Sequence, residues 1–529
     1  MEKGKIIKFI SIFLFFFLPY YLQAGEVRVN LLTEFYYNEI KGPGKENSIY
    51  EKYSHYLQEV EIFSQGKMSS AWDYNFNTLL RWTDSRNIDR EKSSVESFKF
   101  IARSKLDEIT VGDYFANFSQ YTINRAVKGL GYSHKWDEEG GFFLETFAGY
   151  FAPQWEYLYK EVEGEPMERK GGGLRLGWKR ESNEVGLNFV GILDDRDDDN
   201  RGTEDAYKQN VVSLNWRCLL GGFDLQGEHA SSYTRKFVLD GDDDTLKGLS
   251  NKLRVYKRFN RNLCWRFQFE KTDPEFMTLG GAYTPDRERF KNKFDWRVSR
   301  KWKFYMNYEW YRDNLDNQKE TTKVTQVGEL GARVKGLFFQ RKRQSTTIAY
   351  RLREVKARDE SEKWYTERIK LGLSDRFGKV NFRGKVEWLF KNDRVGESDS
   401  DKVFYSLMVN TRKRVKEELT LKPYFEVSYD DAHYEKGDVD TLTQSYRAGV
   451  NFQSGKCWMG GLNLELGEID TTGGIDSDRK RVHTYLVYLP PRIKDFQIKF
   501  DYSYNDYHFS ESSSDYIENL FKVSFKKSF

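Results

Sequence analysis

The 529-residue chain has little of what most folds of its length rely on: three cysteines, nine prolines, six histidines and, past residue 24, no apolar run long enough to cross a bilayer as a helix. Each scarcity excludes something. Cys218, Cys264 and Cys457 are odd in number and widely spaced, so no disulfide framework is expected. His55, His134, His229, His433, His483 and His508 are scattered without metal-ligand spacing. CxxCH, CxxC and a glycine-rich phosphate loop after a strand are all missing, so no cofactor is expected. With 85 basic against 81 acidic residues the net charge is only +4, which gives no electrostatic case for nucleic acid.

Aromatics and charges are abundant. At 16%, aromatic residues are too many for a disordered chain, and at 31%, charged residues are too many for a helical membrane protein. An all-β chain remains. At the N-terminus Lys3, Lys5 and Lys8 precede the apolar run Phe9 to Leu18, then Pro19 and the small-residue end Leu22-Gln23-Ala24. This reads as a secretory signal peptide over residues 1–24, leaving residues 25–529 as one domain. Without it the net charge falls to +2.

From residue 26 onward the period is two. In Trp72, Tyr74, Phe76, Thr78, Leu80, Trp82 the intervening residues are mostly polar. The same ladder recurs in Trp302 to Trp310, Val380 to Phe390 and Phe496 to Tyr504. A soluble sandwich alternates too, but here the connections alternate in length as well. Short ones such as Glu181 to Glu184, Ser299 to Lys301 and Gln453 to Lys456 take turns with long polar ones such as Asn38 to Tyr53, Pro153 to Lys170 and Glu468 to Lys480. That rhythm predicts a transmembrane antiparallel up-and-down β-barrel of about 26 strands, with about 19 residues for each strand and its connection. Closure follows from the bilayer, where an unpaired strand edge has no water to satisfy it.

The last strand carries Phe521, Val523, Phe525 and Phe529 on one face, with Lys527 where an aromatic is common. This resembles the terminal signal read by the outer-membrane barrel assembly machinery. The resemblance implies that machinery as a partner during biogenesis, outer-membrane lipid as the surroundings, and the cell outer membrane as the destination.

Two connections are unusual. Val111 to Gly129 reads by position as an outside loop, yet it is more aromatic than its polar neighbours, and apolar loop residues need something to pack against. The reading is a segment folded inward as a constriction or plug, with Asp113, Gln120, Asn124, Arg125 and Lys128 as its polar lining. Thr272 to Glu288, with two prolines and the pair Gly280-Gly281, is expected to be ordered and to enter the lumen as well. The stretches GDYFANFSQYTINRAVKG and DPEFMTLGGAYTPDRERF resemble segments of large porin-like outer-membrane β-barrels.

Parity assigns the pore lining. Basic candidates are Arg81, Arg266, Lys291, Lys293, Arg297, Lys303, Arg351, Arg353, Arg383, Lys385 and Lys422; acidic ones are Asp73, Glu270, Asp295, Glu309, Glu387 and Glu426. The basic excess leans toward small polar or anionic solutes. The acid runs Asp194 to Asp199 and Asp240 to Asp244 lack the twelve-residue calcium-loop pattern. The expected function is a porin-like channel without catalytic residues. The alternative is a structural sheath around a periplasmic partner such as a multihaem cytochrome. A plugged receptor would need an N-terminal globular plug, and the strand pattern begins at Glu26.

Overall fold

The computed structural model describes residues 23–48, 51–89, 92–158, 167–195, 205–238, 242–338 and 343–529. Most of the leader and residues 196–199 and 240–241 of the acid runs lie outside them. The strands are β1 (Gln23–Lys41), β2 (Tyr53–Lys67), β3 (Asp73–Thr83), β4 (Ser93–Arg103), β5 (Asp107–Ser119), β6 (Ile123–Lys135), β7 (Gly141–Tyr150), β8 (Arg169–Arg180) and β9 (Asn183–Asp194). Then come β10 (Ala206–Leu220), β11 (Phe223–Phe237), β12 (Asp244–Arg258), β13 (Leu263–Thr272), β14 (Arg287–Trp296), β15 (Trp302–Arg312), β16 (Lys323–Lys335), β17 (Ser345–Ala357) and β18 (Lys363–Phe377). The rest are β19 (Val380–Asp393), β20 (Ser400–Thr411), the two-residue β21 (Lys413–Arg414), β22 (Leu419–Tyr434), β23 (Val439–Ser454), β24 (Trp458–Thr471), β25 (Ser477–Tyr488), β26 (Phe496–Phe509) and β27 (Tyr516–Ser528).

Each strand pairs antiparallel with the next, β20 and β21 together acting as one against β22. β1 pairs with β27 from Asn30↔Ser528 to Lys41↔Ile517, which closes a barrel of 26 strands. Alternation along each strand explains closure. On β9, Leu187 is 53% and Phe189 47% exposed, while Asn188 between them is fully buried. Large exposed apolar residues recur around the circumference, from Phe35 on β1 through Leu214, Met306, Ile348 and Leu407 to Phe521 on β27. An apolar belt around a closed, edgeless sheet is stable in a bilayer, and no helix of the described residues could cross one. This is a barrel of the outer-membrane type.

Tight turns lie mostly at one end, with both β1 and β27 reaching it, as the connection lengths predict. The rhythm is looser than the sequence reading has it. At the tight end the β16–β17 connection runs from 336 to 344, while at the other end β5 and β6 are joined by residues 120–122 alone.

That last connection corrects an expectation. The stretch from Val111 to Gly129 is not a loop but most of two paired strands, with register from Asp107↔His134 to Ser119↔Ile123. The segment's own alternation is strong enough to build a hairpin. Its upper half nevertheless leaves the wall. β4 pairs with β5 only from Lys99↔Gly112 to Arg103↔Glu108, and β6 with β7 only from Lys128↔Tyr150 to Lys135↔Phe143. Residues 113–127 therefore pair only with each other. The departure point is Gly112, whose φ of +105° is open to glycine and strained for any other residue.

Candidate functional site

Beyond Gly112 the hairpin lies against the polar face of the neighbouring strands, the face opposite the apolar belt. Ala116, Phe118, Ile123 and Val127 form a buried cluster with Phe147 of β7, Val190 and Ile192 of β9, and Phe151 just past β7. The hairpin is held there by apolar burial along one side. Its turn reaches further, to β10 through β13. Ser119 Oγ meets Ser213 Oγ at 3.2 Å, Tyr121 N–H donates to Glu228 at 3.2 Å, and the fully buried Tyr121 hydroxyl donates to Glu270 at 2.7 Å. The ammonium of Lys252 donates to Gln120 Oε1.

Residues 273–286, between β13 and β14, close over the same turn. Phe276 packs edge-on against Tyr121 with ring centroids 5.7 Å apart. Its backbone sits so close to Gly248 of β12 that a Cβ there would collide with it. Gln209 of β10 receives the N–H of Leu279 at 2.6 Å and donates to Met277 O at 2.9 Å. Asn124 N–H donates to Gly280 O at 2.9 Å and Ala282 N–H to Gln120 O at 2.8 Å. Two segments more than 150 residues apart thus form one packed unit.

The five constriction candidates divide by place. Gln120, Asn124 and Arg125 sit in this unit, the last donating to Leu279 O at 2.6 Å. Asp113 and Lys128 stand where the hairpin leaves the wall, ion-paired at 2.7 Å. Asp113 also accepts from the backbone N–H of Phe98 and from Trp155 Nε1, each at 2.7 Å. Lys252, Glu228 and Trp155 belong to the same assembly and were not anticipated. On wall strands Lys252 and Glu228 look like any polar-parity residue, and Trp155 falls in a connection. One signal for the departure was readable: Phe118 and Val127 on one face and Phe115 and Ala126 on the other make this hairpin apolar on both sides.

The pore-lining candidates Arg81, Lys291, Lys293, Lys303, Arg351, Arg353, Arg383, Lys385, Glu309 and Glu387 all alternate with the apolar belt on their strands, and Arg297 follows β14. Their pairing varies around the barrel. On the β2–β9 side one cation stands between two carboxylates. Arg81 lies 2.8 Å from Glu59 and 3.1 Å from Glu96, and Arg175 lies 3.1 Å from Glu145 and 2.5 Å from Glu184.

From β13 to β19 the proportion inverts. Glu387 is met by Lys385 at 2.8 Å, Arg368 at 3.4 Å and Lys370 at 3.6 Å. Glu309 is met by Arg289 at 2.6 Å and Lys291 at 3.6 Å, and Asp295 by Lys303 at 3.1 Å and Arg266 at 4.0 Å. Among the described residues Arg351, Arg353 and Arg383 have no carboxylate within ion-pair distance, and Arg353 lies over the ring of Trp364 at 5.0 Å. This sector of the wall is cationic. Of the described acid-run residues, Asp194 is ion-paired with Arg169, and no group of three metal-binding side chains occurs among the described residues.

No protein-family profile and no curated protein sequence matches the chain. Solved barrels of several kinds resemble it in outline. The P pilus usher (PapC) translocation pore is 11% identical, with 95% of this chain and 99% of that chain covered and a TM-score of 0.36. The outer-membrane protein OpdK of Pseudomonas aeruginosa is 10% identical over 95% of this chain and 99% of its own, at a TM-score of 0.29. The siderophore receptor PirA of Pseudomonas aeruginosa is 9% identical over 95% and 80%, at 0.41. Likenesses this distant leave the functional reading to the chain's own geometry.

Proposed function

We propose that the chain is an outer-membrane channel that passes small anionic or polar solutes beside a constriction built by the upper half of the β5–β6 hairpin and residues 273–286. The observation that carries this reading is the break in register. Strands that could have completed the wall instead give up neighbour pairing on both sides and pack onto the polar face of β7–β13. A circular barrel of 26 strands is about 50 Å across, so an unobstructed lumen would leak. The surplus cations of β13–β19 then favour anions.

The test is single-channel conductance of the purified, refolded chain in a planar bilayer. Steady conductance is expected, and deletion of residues 117–125 should raise it severalfold. A folded barrel that conducts nothing, with or without the deletion, would sink the channel.

One observation favours a second reading. Among the described elements, the strands from β15 to β27 pack chiefly on their sheet neighbours, which leaves room for an occupant along that part of the inner wall. A sheath around a partner such as a periplasmic multihaem cytochrome would use that space. It predicts haem co-purifying with the native complex and a silent isolated barrel.

A further inference from the structure

The turn of the β5–β6 hairpin rests on Lys252 of β12 and Glu270 of β13. Toward the tight-turn end from there, the next two rows of the inner wall form a hollow. Register places Gln268 between Arg254 and Lys291 in the first row, and Arg266 between Tyr256 and Lys293 in the second. These six side chains share the polar parity of their strands and line a space of about 340 Å³, at the small end of ligand pockets. Its edge at Gln226 and Arg254 also borders a second space of about 270 Å³ that reaches Ser119 and Gln120 of the hairpin turn.

The four cations here are undercompensated. Arg266 and Lys293 stand directly opposite one another on neighbouring strands, where like charges repel unless an anion lies between them. The nearby carboxylates are held more closely by other groups. Asp295 lies 3.1 Å from Lys303 against 4.0 Å from Arg266, and Glu309 lies 2.6 Å from Arg289 against 3.6 Å from Lys291. Asp224 takes two hydrogen bonds from Arg217, at 2.9 and 2.7 Å. Among the described residues Arg254 and Lys293 have no carboxylate within ion-pair distance, and each lines the hollow.

The uncharged groups add a second requirement. Gln226 and Gln268 give their amide N–H groups to Asp224 at 3.3 Å and Glu270 at 3.4 Å, which leaves both carbonyl oxygens to accept from hydroxyl groups. An arginine facing a lysine suits a phosphate monoester, which brings about two negative charges and three acceptor oxygens where a carboxylate brings one charge.

We propose that this hollow binds a small hydroxylated phosphomonoester of the sugar phosphate kind. Its phosphate lies between Arg266 and Lys293, and its hydroxyls donate to the carbonyls of Gln226 and Gln268. The site names a solute class for the channel proposed above and rests on that reading only for transport, since binding needs the folded wall alone.

The test is isothermal titration calorimetry of the full chain, folded in detergent micelles, with glucose 6-phosphate, inorganic phosphate and glucose as probes. Glucose 6-phosphate should bind at one site about tenfold more tightly than inorganic phosphate, and glucose should give no heat. Arg266→Gln and Lys293→Gln should each weaken glucose 6-phosphate about tenfold, the loss of one charge-assisted contact. The double variant Gln226→Leu, Gln268→Leu should bring its affinity down to that of inorganic phosphate. No binding of glucose 6-phosphate, affinity equal to that of inorganic phosphate in the wild type, or binding indifferent to Arg266→Gln and Lys293→Gln would overturn the proposal. Heat-modifiable gel mobility shows in each case that the barrel is folded. Chloride conductance without sugar phosphate reads the channel separately: binding without conductance sinks the channel and keeps the site, and conductance without binding does the reverse.

Discussion

At the scale of the residue, the packed unit rests on a few groups whose neighbours leave them no alternative. Tyr121 is buried completely and gives its hydroxyl proton to Glu270, a carboxylate whose other contacts are weaker: Gln120 at 3.3 Å, Gln268 at 3.4 Å and Arg289 at 4.0 Å. Replacing Tyr121 by Phe keeps the ring but strips a buried charge of its best donor, at a cost of about 1.5–3 kcal/mol. The hairpin turn should then undock part of the time. Single-channel recordings of Tyr121→Phe should show added flicker at a mean conductance above that of the wild type. Unchanged open-channel noise would mean that the apolar cluster alone holds the turn.

At the scale of the element, residues 273–286 are tied at both ends. Gly248 admits the backbone of Phe276, and Asp286 anchors the far end. Burial by itself would raise the Asp286 carboxyl, but the Lys319 ammonium and the N–H of Leu315, 2.7 Å away, hold it below the usual carboxylate range. A carboxylate depressed in the folded state adds stability above its ordinary value of about 3.9, and that contribution is lost as pH falls through the depressed value. Acidification from pH 7 to 3 should therefore loosen the β15–β16 connection, residues 313–322, from the end of this segment. Hydrogen exchange at Leu315 reads the change. Asp286→Asn should give fast exchange at both pH values, and equal protection at pH 3 and 7 in the wild type would refute the tie.

At the same scale the limits of the sequence are visible. The parity of β14, β15, β17 and β19 was readable, because lipid on one side and water on the other impose a period of two on any strand that spans. The same force hid the hairpin. Residues 113–127 are apolar on both faces, which sets them apart from a wall strand, but nothing local names the inside of β7–β13 as what they pack against. Expecting a constriction there came from aromatic content, and expecting a loop followed from treating every segment as either wall or connection.

At the scale of the whole molecule, the ion-pair pattern divides the lumen into an acid-rich sector near β2–β9 and a cation-rich one at β13–β19. Pairs in water contribute little to stability but set the potential a permeating ion meets. Under a salt gradient the wild-type channel should prefer chloride to potassium. The triple variant Arg351→Gln, Arg353→Gln, Arg383→Gln should lower that preference at least about twofold by removing cations that no wall carboxylate neutralises. A reversal potential unmoved by the three changes would mean that these arginines stand outside the ion path.

The sequence alone determined the period, the strand number to within its boundary error, and, on the strands whose ladders are clear, the apolar face and the charges opposite it. All of these follow from residue type and spacing, because a bilayer acts on every strand in the same way. Only the tertiary structure decided that one hairpin leaves the wall, that Tyr121 ends beside Glu270 some 150 residues away, and that Trp155 from a connection donates to Asp113 at the hairpin's base. The physical reason is that neighbour pairing is local in a barrel, whereas the choice of what lies against the inner wall is made between elements far apart in the chain and close only after closure.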